Sequence, residues 1–238
     1  MSIATRGLLV ERPEVPAGLV AIPVRTPIVA PGDDLVAMVA RAVDGIARSG
    51  DVIAISETAV AIAQGELLAA EYVRPSRLAF AISRNADPMA TISQPESMQL
   101  VIDQVGRWKV LYATLLQLVG RLRRRRGAFY EVMGDAIAAF DGYTGTMPPY
   151  ERAIVFAPRD PNGFAQSLYE RTKVACAVVD ANDLKAAKVL GSSSGVRNAT
   201  VAAALLDNPH GNGDEQTPVV VLKWRASGEN PLLATVPS

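Results

Sequence analysis

Residues 31–56 read PGDDLVAMVARAVDGIARSGDVIAIS, and this stretch decides the class of fold. Pro31-Gly32 turns the chain. Leu35, Val36, Val39, Ala40, Val43 and Ile46 then recur every three or four residues, which predicts an amphipathic helix. Asp33 or Asp34 stands where a carboxylate accepts a hydrogen bond from an unpaired first-turn amide. Gly50-Asp51 stops the helix, and Val52 to Ser56 follows as a hydrophobic strand. Helix and strand in close succession point to a mixed α+β (α/β) chain.

The same alternation continues outward. Upstream, Val20 to Pro31 carries three prolines among β-branched residues and reads as an edge strand and turn. Downstream, Ser56-Glu57-Thr58 lines a site or caps a strand-to-helix junction, and both readings stand. Gln64-Gly65 is a turn signal. Helices are expected over Pro75 to Arg84, Pro95 to Gly106 and Gly163 to Lys173, with a helix or buried segment from Ala199 to Leu206. Strands are expected at Ile154 to Ala157, Val174 to Val179 and Pro218 to Leu222.

Composition excludes several classes. Of 238 residues, 49% are hydrophobic and 20% charged, enough apolar material for a buried core. Lys plus Arg and Asp plus Glu each number 24, so no general positive field favours nucleic acid, and no nucleic-acid or membrane partner is expected. One cysteine excludes an intrachain disulfide and a CxxC zinc site, and one histidine excludes a multi-histidine metal site. Any metal must rest on oxygen ligands. Met1 to Arg12 lacks the apolar core of a signal peptide, and Val110 to Gly120 falls short of the roughly 20 residues that cross a bilayer. A reducing, cytoplasmic setting is expected.

Trp108 to Arg126 runs from apolar residues into Arg121 and Arg123 to Arg126. One reading is an anion or RNA patch, or a membrane-surface helix. The other is a core or dimer-interface helix whose basic last turn suits the helix dipole, and it is favoured because the rest of the chain is not basic.

Asp141 and Asp180 each follow an apolar run and open a polar loop, where carboxylates suit a hard cation and a substrate phosphate. Asn182 and Asp183 add oxygen donors, although Asp and Asn also serve plain turns. Gly191-Ser192-Ser193-Ser194-Gly195 offers amides and hydroxyls to a phosphate or is a flexible linker, the latter favoured. It is not a P-loop, and neither GxGxxG nor GxSxG occurs. Cys176 is expected to be buried and inert, and His210, in a turn, to lie at the surface.

Taken in order, Pro31-Gly32-Asp33-Asp34-Leu35, Gly50 to Ser56, Ala63-Gln64-Gly65, Ala138-Ala139-Phe140-Asp141, Pro158-Arg159-Asp160-Pro161, Val178-Val179-Asp180 and Pro218 to Lys223 resemble the coenzyme F420-0:L-glutamate ligase family. The resemblance implies a fold of mixed sheets with flanking helices, and an intertwined homodimer. It implies GTP-dependent ligation of L-glutamate through a γ-linked amide to a coenzyme F420 precursor, through an acyl phosphate and with Mg²⁺ or Mn²⁺. The implied partners are a nucleotide and an anionic small molecule. Asp141 and Asp180 match the family's metal-binding aspartates, and Asp183 joins them as a candidate. Ser56, Gly191 and Ser192 are the candidate cofactor-binding residues. Residues 20–225 form the ligase-like domain, divisible into two subdomains with 105–130 as a helical insertion, and 1–19 and 226–238 are terminal extensions.

Two places depart from the family pattern. Its Ser-Lys strand end is Ser56-Glu57 here, and its hydroxyl residue and Gly-Arg-Pro loop after the second aspartate are Ala181-Asn182-Asp183-Leu184, with basic residues returning at Lys185 and Lys188. The alternative they motivate is a dimeric module that binds another anionic small molecule without ligation.

Overall fold

The structure, a computed structural model, describes residues 15–86, 91–122, 128–134, 140–141, 148–182, 185–211 and 215–234. In chain order its elements are β1 (Leu19–Val24), α1 (Leu35–Ala42), β2 (Val52–Ser56), α2 (Glu57–Ala63), β3 (Leu67–Ala69), α3 (Arg77–Ser83), α4 (Pro95–Val105), α5 (Arg107–Leu122), α6 (Ala128–Met133), β4 (Phe140–Asp141), β5 (Ala153–Phe156), α7 (Pro161–Thr172), β6 (Ala175–Asn182), β7 (Ala186–Ser192), α8 (Asn198–Ala204) and β8 (Val219–Trp224). The fold is mixed α+β, as the sequence predicts. The described residues divide into two compact units. One takes those up to Ile28, Asp34–Glu57 and those from Asp160 onward; the other is Val29–Asp33 and Thr58–Arg159.

The first unit is built on a five-stranded sheet of order β1-β8-β2-β6-β7. β2 and β6 are parallel, from Val52 opposite Ala175 to Ser56 opposite Val179, and the other pairs are antiparallel. The central strands VIAI and VVVL are apolar without alternation because both faces of the sheet are covered. On one face Val201 and Leu205 close over Val52, Ala54, Ala177, Val179, Val220 and Leu222. On the other, α7 packs on β6 and β7 and against α1.

Local chemistry sets the boundaries. Of the two candidate aspartates, Asp34 caps α1, accepting from the Ala37 amide at 2.9 Å, while Asp33 accepts from the Ala30 amide at 2.8 Å. The helix ends at Ala42, short of Ile46, and Gly45 turns the chain at φ +72°. Asp160 caps α7 through the Gly163 amide at 2.8 Å, with Pro161 in the first turn. The Asp51 carboxylate lies 2.6 Å from the Lys223 ammonium, which also donates to the Ile46 carbonyl at 2.5 Å. Both side chains are nearly nine-tenths buried.

Two expectations are corrected. The Gly191 to Gly195 stretch is not a linker: Gly191 and Ser192 end β7, and Ser193 still pairs with Cys176, its amide and hydroxyl each 2.9 Å from that residue's backbone. A serine run fits a strand here because its hydroxyl completes the ladder. His210 is not at the surface. It is 8% exposed, with Nδ1 3.2 Å from the Thr217 carbonyl, and the Thr217 hydroxyl donates back to the His210 carbonyl. The turn signals around it were real, but the turn folds inward onto residues 217–218. Cys176 is buried as expected, and burial pushes its thiol far up.

Gly191 shows why β7 carries a glycine. A Cβ there would sit 2.5 Å from the Asn162 amide nitrogen and from the Pro161 carbonyl carbon. The close approach lets the Ser192 amide donate to Asn162 Oδ1 at 3.0 Å. Gly191→Ala is therefore expected to lose about 1–3 kcal/mol, read from the urea midpoint, with Ser192→Ala costing less.

The second unit holds a three-stranded antiparallel sheet, β3-β5-β4. Its core joins Met98 and Val101 of α4, Val110 and Ala113 of α5, Met133 of α6 and Ile154 of β5. The Tyr150 hydroxyl donates to the Val29 carbonyl at 2.9 Å, and burial, then the Asp33 charge, raises its pKa. Arg159 pairs with Glu66, and its amide donates to Gln64 Oε1 at 2.8 Å. No described helix is long and apolar enough to cross a membrane.

Candidate functional site

Parallel strands bring their carboxyl ends to one edge of a sheet, and in open sheets that edge is where ligands bind. In the first unit this edge is formed by β2 and β6. β2 ends at Ser56, whose register partner on β6 is Val179, and Asp180 is the next residue. The sequence ends the strand at Asp180, whereas pairing continues to Asn182. Asp180 is thus held by ladder bonds on a strand, not on a loop tip.

Side-chain alternation sorts the candidates by face. Val179 belongs to the cluster covered by α8, so Ser56 lies on that face, and Ser192, opposite Ala177, shares it. Asp180 points to the other face, where Gly191, opposite Val178, meets the start of α7. Ser56 and Ser192 therefore do not face Asp180.

A residue the sequence reading left without a role does. β7 carries one extra residue between its partners for Val178 and Val179, which are Gly191 and Val189. This β-bulge slips the register so that Lys188, not Val189, stands directly opposite Asp180. Desolvation raises the Asp180 carboxyl above the ordinary carboxylate range, although the side chain stays exposed, and the Lys188 charge pulls it back down. The Lys188 ammonium thus supplies a cation on the same face. No signal in the sequence marks the bulge; Lys188 stands out there only as one of the basic residues that return after Asp180.

The remaining candidates are placed as follows. Asp141 ends β4 in the second unit, its backbone paired with Val155, and its side chain lies outside the described residues. Asp183, between β6 and β7, lies outside them as well. Among the described residues no group of three His, Cys, Asp or Glu side chains could hold a metal. Asp180 is nevertheless the right kind of donor, an exposed carboxylate oxygen. Mg²⁺ is commonly held by one or two carboxylates plus substrate phosphates rather than by a full protein cage. Asp180 fits as one carboxylate donor to a cation that arrives with a phosphate.

The motif aspartates and arginine outside this edge have structural work: Asp33, Asp34 and Asp160 each close a turn or cap a helix, and Arg159 is paired. No curated protein matches the chain. A family model described as F420-0:Gamma-glutamyl ligase matches residues 23–181 of 238, two thirds of the chain. The match runs through β2 and Asp180 and stops before Lys188, Gly191 and Ser192.

Proposed function

The chain belongs to the F420-0:gamma-glutamyl ligase family, and from that premise we propose that it joins L-glutamate by a γ-linked amide to a coenzyme F420 precursor, using GTP. The observation that carries the proposal is the exposed Asp180 carboxylate at the β2–β6 carboxyl edge, inside the matched residues, with Lys188 on its face.

In this reading the acceptor carboxylate takes the γ-phosphoryl group of GTP, giving an acyl phosphate and GDP. The glutamate amine then attacks the acyl carbon, inorganic phosphate leaves, and the amine proton passes to solvent. Asp180 would hold Mg²⁺ or Mn²⁺, which offsets phosphate charge; Asp141 and Asp183 remain proposed metal ligands. Lys188 would bind a phosphate oxygen as a point charge, in place of the basic loop that the sequence lacks after Asp180. Ser56, Gly191 and Ser192 remain proposed cofactor contacts. The proposal includes a homodimer, checked by sedimentation.

Calorimetric titration with GTP, with and without Mn²⁺, tests this. Metal-dependent binding is expected, weakened at least about tenfold by Asp180→Asn. That variant should not lose stability. Because folding raises the Asp180 pKa, the folded state holds this proton more tightly than the unfolded chain. The carboxylate's contribution is then favourable while protonated and is lost as pH rises through the folded value. An amide at pH 7 thus matches or exceeds the wild type in urea. Absence of GTP binding to the wild type, or unchanged binding by Asp180→Asn, sinks the reading and leaves the non-ligating module.

A further inference from the structure

α5 has two apolar faces. Val110 and Ala113 are buried in the core of the second unit. Turned away from them, Trp108 is 73% exposed, Tyr112 and Leu115 58% and Leu118 57%, with Leu111 and Val119 more than a third exposed. At 100° per residue these six side chains occupy a sector of about 120°. No polar residue falls among them. A contiguous apolar face of this kind marks an interaction surface, unlike single exposed hydrophobic residues.

Charge selects the occupant. Residues 104–130 contain Arg107, Lys109, Arg121 and Arg123 to Arg126, seven cations and no acid, in a chain whose formal charge is zero. The rest of the chain therefore carries 0 − 7 = −7. Packing α5 of one copy on α5 of another would bring like charges together in either direction. An anionic surface matches them instead, at about 1 kcal/mol per basic residue near it. Trp108 and Tyr112 are the residue types that favour the headgroup level, and the Arg107 guanidinium sits 5.2 Å from the Trp108 ring centre. RNA would satisfy the charge but not the leucines.

We propose that the outward face of α5 lies on an anionic phospholipid bilayer and holds the protein there peripherally, without crossing it. This replaces the expectation of no membrane partner, which rested on overall charge and segment length. Those quantities do not show which apolar side chains of a helix stay outside the core.

The test uses the full chain and sucrose-loaded vesicles of phosphatidylglycerol and phosphatidylcholine, against phosphatidylcholine alone. Co-sedimentation with the anionic vesicles is expected, falling steeply at high salt. Brominated lipid should quench tryptophan emission, and Trp108→Phe, which leaves Trp224, should remove the quench. Leu115→Gln/Leu118→Gln should weaken sedimentation about tenfold or more with an unchanged far-ultraviolet spectrum, because both side chains are already exposed. Failure to sediment with anionic vesicles at low salt overturns the proposal. So does a dimer that the Leu115→Gln/Leu118→Gln variant dissociates, since a second copy would then cover the face.

Discussion

Lys223→Met is expected to cost about 3–5 kcal/mol of folding free energy, because it leaves the Asp51 carboxylate buried without its cation. Removing one partner of a buried pair is far worse than removing both. The Arg48 amide still donates to Asp51 at 2.9 Å, but a neutral donor does not replace an ammonium at 2.6 Å. The Ile46 carbonyl loses its charged donor as well. Asp51→Asn/Lys223→Met should recover much of the loss, since no uncompensated charge remains. Urea unfolding of both single variants and the double variant gives the coupling directly. A Lys223→Met variant within about 1 kcal/mol of the wild type would mean that water reaches Asp51 and the pair contributes little.

Acidification should remove about 3 kcal/mol through His210 alone. Burial is the main cause holding its imidazole at a pKa of about 4, with backbone hydrogen bonds opposing it. The Nδ1 proton points at the Thr217 carbonyl, and the buried Nε2 has no hydrogen-bond partner among the described residues. Folding lowers this pKa below its unfolded value of about 6.5, so the unfolded chain binds the proton more readily. Stability is fully present above about pH 6.5 and falls as pH drops toward 4. The chain has a single histidine, so one imidazole resonance reports the titration without assignment. His210→Asn keeps an N–H near the Nδ1 position and cannot titrate there. Its urea midpoint should be lower at neutral pH, with a flatter slope between pH 6.5 and 4. A resonance that titrates near 6.5 would show that the ring is solvated.

Local signals made much of the fold legible. β2 runs from Val52 to Ser56 as read, because Gly50-Asp51 marks its start and every residue to Ile55 is apolar. The α1 cap was narrowed to two aspartates, and only geometry separates Asp34 from Asp33. Long-range features were not legible. β7 is poor in strand formers and ends in glycine and serine, and its pairing with β6 and α7 holds it. His210 is buried by hydrogen bonds to a residue seven positions on. The α5 periodicity announces a helix, but two apolar faces share that period, and tertiary packing decides which one the core takes. At the candidate site, Asp180 was legible as a residue after an apolar run. Its partner Lys188 depends on an inserted residue on another strand, which no local pattern encodes.

The order of the large sheet constrains synthesis on the ribosome. β8, the last strand of this sheet to emerge, sits between β1 and β2, its two earliest. Until Val219–Trp224 leaves the exit tunnel, β1 has no neighbour in the sheet and β2 exposes one whole edge. The first unit's sheet therefore closes only after residue 224 has emerged, and a chain stopped before residue 219 offers an unpaired apolar edge to any other strand it meets.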